Sequence, residues 1–221
     1  MRALILLFHR ESSLAWGRGG GPLLAVGFFA AMTVMFPFAI GPAPERLSAV
    51  AGAVAWVGLA LASLLSLERV FERDFDTGAL DLLALGPLPL EVVCAVKALA
   101  QWIANGAPLA VAAPFTVMAL GGRPDSAFLV AATAAIGGLA FAFVGGAGAA
   151  LALASRRGGV LIALIVLPLL TPPVIFGGTA MSNFAFGLHW QTGFILLCAY
   201  TLAAMALTPF AMAGACRNAL S

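Results

Sequence analysis

Five stretches of this chain contain no Asp, Glu, Lys or Arg: residues 19–44, 47–67, 98–122, 126–155 and 158–216. No other feature constrains the fold so strongly. A helix needs ~20 apolar residues to cross the ~30 Å hydrocarbon layer, and it satisfies its own backbone hydrogen bonds there. The chain is 62% hydrophobic and 9% charged, whereas a soluble domain is about 45–50% apolar and about 25% charged. A water-soluble protein of this length would lack the polar residues to cover its surface. The sequence therefore predicts an all-α membrane protein, residues 1–221 forming one transmembrane domain. Each of the first four stretches fits one helix. The fifth has room for two, divided by MSNFAFGLHWQTG at residues 181–193, whose polar groups and glycines suit a short external loop. Six spans are expected, at about 22–41, 47–67, 98–120, 127–154, 159–180 and 194–214.

Lys and Arg in the flanking loops set orientation. With the N-terminus in the cytoplasm, that side holds Arg2, Arg10, Arg18, Arg69, Arg73, Lys97, Arg156, Arg157 and Arg217, and the other only Arg46 and Arg123. Both termini and the loop 68–97 are thus expected to be cytoplasmic. Arg156-Arg157 reads as an anchor for the inner end of span four. Before the first span, residues 1–20 predict an interfacial helix. Its Leu4, Leu7, Phe8 and Leu14 sink among acyl chains, while Arg10, Glu11 and Arg18 lie outside that face. The apolar run ALILLF is shorter than the ~7–15 residues of a signal core, so no cleaved leader is expected.

Within the spans, small residues suggest close helix packing: Gly52 and Gly58 in span two, and Gly137, Gly138, Gly145, Gly146 and Gly148 in span four. Pro168, Pro172 and Pro173 must bend or interrupt span five, because each removes a backbone donor. Either a gate or re-entrant turn near its outer end, or plain helix distortion, would follow. Cys94, Cys198 and Cys216 have no metal-ligand spacing and read as quiet apolar thiols. A net charge of +2 gives no reason to expect a nucleic-acid partner.

Loop 68–97 gathers Glu68, Arg69, Glu72, Arg73, Asp74, Asp76, Asp81, Glu91 and Lys97, nearly half of the chain's charge. Placing such groups at the bilayer centre costs roughly 2.5–3.5 kcal/mol each, so the loop is expected to lie in water. Its leucines, Leu80, Leu82, Leu83, Leu85, Leu88 and Leu90, then need a partner surface. Asp76 or Thr77 would cap a two-turn helix over about 78–85, with Asp81 in its opening turns and Gly86-Pro87 ending it. Two turns are not stable alone. The leucines are therefore held by the protein's own underside or by a second polypeptide.

The core Gly78, Leu80, Asp81, Leu83, followed by Pro87 and Lys97, resembles the coupling region of exporter-type ABC permeases. More specifically, the chain resembles the haem exporter protein B (CcmB) family, the ABC-type permease of cytochrome c maturation. The likeness runs nearly end to end, through FPFAIGP from Phe36, SLERVFERDFDTGALDLLALGPLP from Ser66 and SRRGGVLIALIVLPLLTPPVIFG from Ser155. This resemblance implies a short cytoplasmic coupling helix that docks into a groove of an ATP-binding subunit. The contact would fall on Asp76, Gly78, Leu80, Asp81, Leu82, Leu83 and Pro87. It further implies residence in the bacterial inner membrane, a second permease copy, a haem-handling membrane subunit, a small membrane subunit and a periplasmic haem chaperone. Haem is then the possible cargo. The permease either moves it or transmits ATP-driven motion that frees the loaded chaperone. An ABC exporter permease for another substrate is the alternative.

No GxxxxGK[ST] occurs, so ATP would be bound and hydrolysed by the partner. His9 falls on the cytoplasmic side, and His189, beside Trp190, falls in the external loop as a weak candidate contact for substrate or chaperone. No metal or haem site is assigned. An intramembrane enzyme is a poorer reading, because Asp74, Asp76 and Asp81 lack the spaced aspartates of phospholipid-head-group transferases and stand beside Arg69 and Arg73. A secondary transporter would carry an ionisable residue deep in a span, and none of the expected spans has one.

Overall fold

The computed structural model describes residues 2–16, 21–65, 67, 69–155 and 158–220. Among them every regular element is helical. Arg18 and the Arg156-Arg157 anchor lie outside the described residues. Helix α1 (Arg2–Trp16) is followed by α2 (Gly21–Ile40), α3 (Pro44–Leu64), α4 (Arg69–Asp76) and α5 (Ala79–Ala84). Next come α6 (Leu90–Gln101), a π-helical turn (Trp102–Gly106) and α7 (Ala107–Ala119). A 3₁₀ turn (Pro124–Ser126) leads into α8 (Ala127–Ser155), α9 (Gly158–Ala185) and α10 (Gln191–Leu220). Among the described residues five segments are long and apolar enough to cross a membrane: Pro22–Ile40, Pro44–Leu64, Leu90–Ala119, Pro124–Leu153 and Gln191–Leu220.

Helix α8 is the centre of the bundle, and from 140 to 150 every residue is buried. Its glycines explain how neighbours come so close. A Cβ on Gly145 would lie 2.3 Å from Leu67, and one on Gly137 would lie 2.4 Å from the Trp56 indole. On α9, a Cβ at Gly177 would lie 1.8 Å from the same ring. Trp56 of α3 thus sits in a socket made by two other helices, edge-on to Phe141 with centroids 6.1 Å apart. Such an aromatic pair adds to the area it buries.

Span five is not interrupted. Helix α9 runs continuously through Pro168, Pro172 and Pro173. Pro173 cannot donate to the carbonyl four residues back, and the chain's one tyrosine supplies the missing donor: Tyr200 Oη of α10 donates to Leu169 O at 2.5 Å. A neighbouring side chain thereby satisfies the freed carbonyl, which is how proline is tolerated at such depth. The expected external loop is also shorter than residues 181–193. Gly187, at φ +69°, turns the chain where few residues but glycine fit, and α10 begins at Gln191.

The third crossing departs most from expectation. Its helix begins at Leu90, not at 98, so Lys97 lies within it. At the π turn, the Ala107 N–H reaches Trp102 O five residues back. Trp102 Nε1 donates to Ala135 O at 3.0 Å and locks the turn against α8. A small cavity opens between Ser63, Trp102, Asn105 and Gly138, and Asn105 Oδ1 is buried there without a protein donor.

Two ends of the bundle are distinct. At one, Gly121 approaches Pro44 and Ser48, and the Arg123 guanidinium lies 5.9 Å from the Phe184 ring centroid. At the other, α1, α4 and α5 gather beside the start of α6, and Arg217 near the end of α10 donates to Glu91 at 2.6 Å.

Candidate functional site: the charged end and its leucine knob

Helix α4 was not expected as a separate element. Its repeat Val70, Phe71, Asp74, Phe75 puts three apolar groups and one carboxylate on one side at helical spacing. Phe71 is fully buried and Asp74 is 3% exposed. Thr77 and Asp76 end this helix and do not cap the next one. Thr77 N–H and Thr77 Oγ1 both donate to Arg73 O, at 3.1 and 2.8 Å. The residue before α5 is Gly78 at φ +70°, and α5 has no side-chain cap. The left-handed turn there is what swings α5 away from the axis of α4.

Helix α5 divides its leucines sharply. Leu80 is 0% exposed, whereas Leu82 and Leu85 are 73% and 86% exposed. Leu83 is half-buried against the core. Leu80, expected among the partner contacts, is therefore an anchor behind the surface, because its side chain already packs in the bundle. The accessible face consists of Leu82 and Leu85 with exposed Asp76, Asp81 and Pro87 around them. Leu80 and Leu82, two residues apart, stand about 200° apart around a helix, so when Leu80 anchors in the bundle Leu82 points out.

The loop is not wholly in water, as had been expected from its charge. Lys97 is 2% exposed and lies among acids from two other helices. Its Nζ donates to Glu11 Oε2 at 2.9 Å and to Asp74 Oδ2, and lies 5.7 Å from the Phe71 ring centroid. Arg10 completes the set, with Nη2 donating to Asp74 Oδ1 at 2.7 Å and Nη1 paired with Glu11. Two cations and two anions balance, which is why the group can be buried at all. Burial raises the Asp74 pKa, but the Arg10 hydrogen bond and the Lys97 charge outweigh it and leave the carboxyl below its ordinary range. The Arg10 guanidinium is correspondingly raised, first by its hydrogen bond to Asp74. On α1 the face bearing Leu7 and Glu11 is turned to the protein, against the expectation that Glu11 lies outside the apolar face. Ile5, Leu6 and Trp16 are the apolar groups left exposed.

At the opposite end His189 is exposed at the tip of the α9–α10 turn, and Asn183 Nδ2 donates to its backbone carbonyl at 3.1 Å. Trp190 is half-buried between Phe184 and Phe194, at centroid distances of 6.3 and 5.9 Å. The pair splits accordingly: Trp190 supports the turn and His189 is accessible. Among the described residues no cluster of His, Cys, Asp and Glu is arranged to hold a metal.

The family profile described as CcmB protein matches residues 2–219. The chain belongs to the CcmB family. Heme exporter protein B of Paracoccus denitrificans (strain Pd 1222) is 44% identical over 218 residues, covering 98% of each chain. Heme exporter protein B of Bradyrhizobium diazoefficiens is 42% identical over 221 residues and 100% of both chains, and that of Escherichia coli (strain K12) is 37% identical over 213 residues and 96% of both. CcmB proteins are multi-pass permease subunits of the ABC system of cytochrome c maturation, and are not themselves enzymes. A CcmB permease works with an ABC ATPase subunit.

Proposed function

We propose that this CcmB permease crosses the membrane six times, with α9 as the fifth crossing in chain order, and holds both termini and α5 in the cytoplasm. The positive-inside asymmetry supports this orientation, as does the gathering of α1, α4, α5 and Arg217 at one end. The ATPase docks on Asp76, Asp81, Leu82, Leu85 and Pro87, with Gly78 setting the angle of α5 and Leu80 and Leu83 fastening it from behind. ATP binding draws two ATPase subunits together, and α5 carries that displacement into the bundle. Two permease copies form the transmembrane pathway, and the motion serves haem export or release of a haem-loaded periplasmic chaperone. A haem-handling membrane subunit and a small membrane subunit complete the assembly. At the periplasmic end, His189 is an accessible contact for the chaperone.

One observation carries the coupling role. Leu82 and Leu85 are the most exposed leucines of a charged loop, and such groups are costly to leave in water. The test is Leu82→Asp with Leu85→Asp. The permease should accumulate in the membrane as before, while the ATPase fails to co-purify in mild detergent and cytochrome c yield collapses. Wild-type ATPase recovery together with wild-type cytochrome yield would end this reading.

A further inference from the structure

Burying Glu11, Asp74 and Lys97 costs desolvation that well-packed apolar side chains would avoid. Cohesion alone therefore does not explain the cluster; what it does provide is a fixed geometry between three helices. Asp74 lies on α4, which continues into α5 through Thr77 and Gly78. Its carboxylate joins both neighbours: Oδ2 accepts from Lys97 of α6 and, at 3.4 Å, from Arg10 Nη1 of α1, while Oδ1 accepts from Arg10 Nη2 at 2.7 Å. Helix α6 is already tied to α5 by the short connection of residues 85–89. Helix α1 is remote from α5 in sequence and leads towards α2. Arg10 and Glu11 are the charged groups of α1 in this cluster, and Arg10 forks across both acids.

We infer that the Arg10–Asp74 link is a latch that makes α1 travel with the coupling element, so that the ATPase stroke enters the bundle at α1 and α2 as well as at α6. Arg10, Glu11, Asp74 and Lys97 are positioning residues in this scheme and touch neither ATP nor cargo. The inference rests on α5 being the docking element. Without the latch, α1 would follow α5 only indirectly, through its packing on α6 and the Glu11–Lys97 pair.

The composition of the cluster permits a clean test. Arg10→Met with Glu11→Leu removes one cation and one anion together and leaves the Asp74–Lys97 pair intact, so no buried charge is orphaned. In the full complex this variant should bind the ATPase normally and hydrolyse ATP. Cytochrome c matured per ATP consumed should fall about tenfold, within the usual range of coupling effects between sites. Wild-type maturation per ATP in that variant overturns the latch. If the double variant does not accumulate, Arg10→Gln gives the same reading, because its side chain is partly exposed and Glu11 stays on Lys97. Wild-type coupling there also overturns it. The Leu82→Asp/Leu85→Asp variant separates the two ideas. Normal ATPase recovery in it defeats the docking reading, whereas its failure beside a fully coupled Arg10→Met/Glu11→Leu defeats the latch alone.

Discussion

Trp56 fixes the spacing of three helices through one rigid ring. Gly137 and Gly177 have no side chain because the indole occupies the space where one would stand. Gly178, one residue along, has nothing within 4 Å of an added Cβ. Gly177→Ala should therefore destabilise the purified protein by about 1–3 kcal/mol, the usual cost of overpacking, while Gly178→Ala leaves its thermal midpoint in detergent unchanged. Equal midpoints for both variants would show that the socket yields. Asp74 makes a second residue-level prediction. Its folded pKa lies below the ordinary value, so the stability it contributes is complete above the ordinary Asp range of ~4 and is lost as pH falls through the lowered folded value. Thermal midpoints of the wild type should drop more steeply on acidification than those of Asp74→Leu with Lys97→Met, in which that linkage is absent.

At the scale of elements, the sequence revealed some helices plainly and concealed others. The α5 knob was legible because glycine, proline and acidic residues mark its ends while leucines fill it. Which leucine faces out was not, since that depends on the surface beneath, and Leu80 has the core behind it. Helix α4 was hidden by its charges: Arg69, Glu72, Arg73 and Asp76 suggested open water, although Val70, Phe71 and Asp74 recur at helical spacing. The chain's single lysine, placed where the charged loop meets an apolar run, was the available clue to a buried ion cluster. The continuity of α9 could not be read from its prolines, because it depends on Tyr200 of another helix. The π turn leaves no mark that apolar periodicity would detect.

For the whole molecule, the charge-free stretches marked where the long apolar helices lie, five of them long and apolar enough to cross a membrane among the described residues, and ladders of small residues anticipated their packing around α8. Orientation is a separate matter, decided by loop charges, and it can be tested directly. In intact cells a membrane-impermeant thiol reagent should modify His189→Cys but reach Leu85→Cys only after the inner membrane is opened. The reverse pattern would invert the proposed topology. The same His189→Cys variant reads the proposed chaperone contact, since an unaltered cytochrome c yield would remove that histidine from it.

The five-residue turn at Trp102–Gly106 has a mechanical consequence. Each residue of an α-helix advances the azimuth by about 100°, and a π turn absorbs one additional residue, so the two halves of this rod are set out of phase. Because Trp102 pins the turn to α8 through Ala135 O, this offset is fixed in the fold and sets which faces the two halves of the rod present to their neighbours.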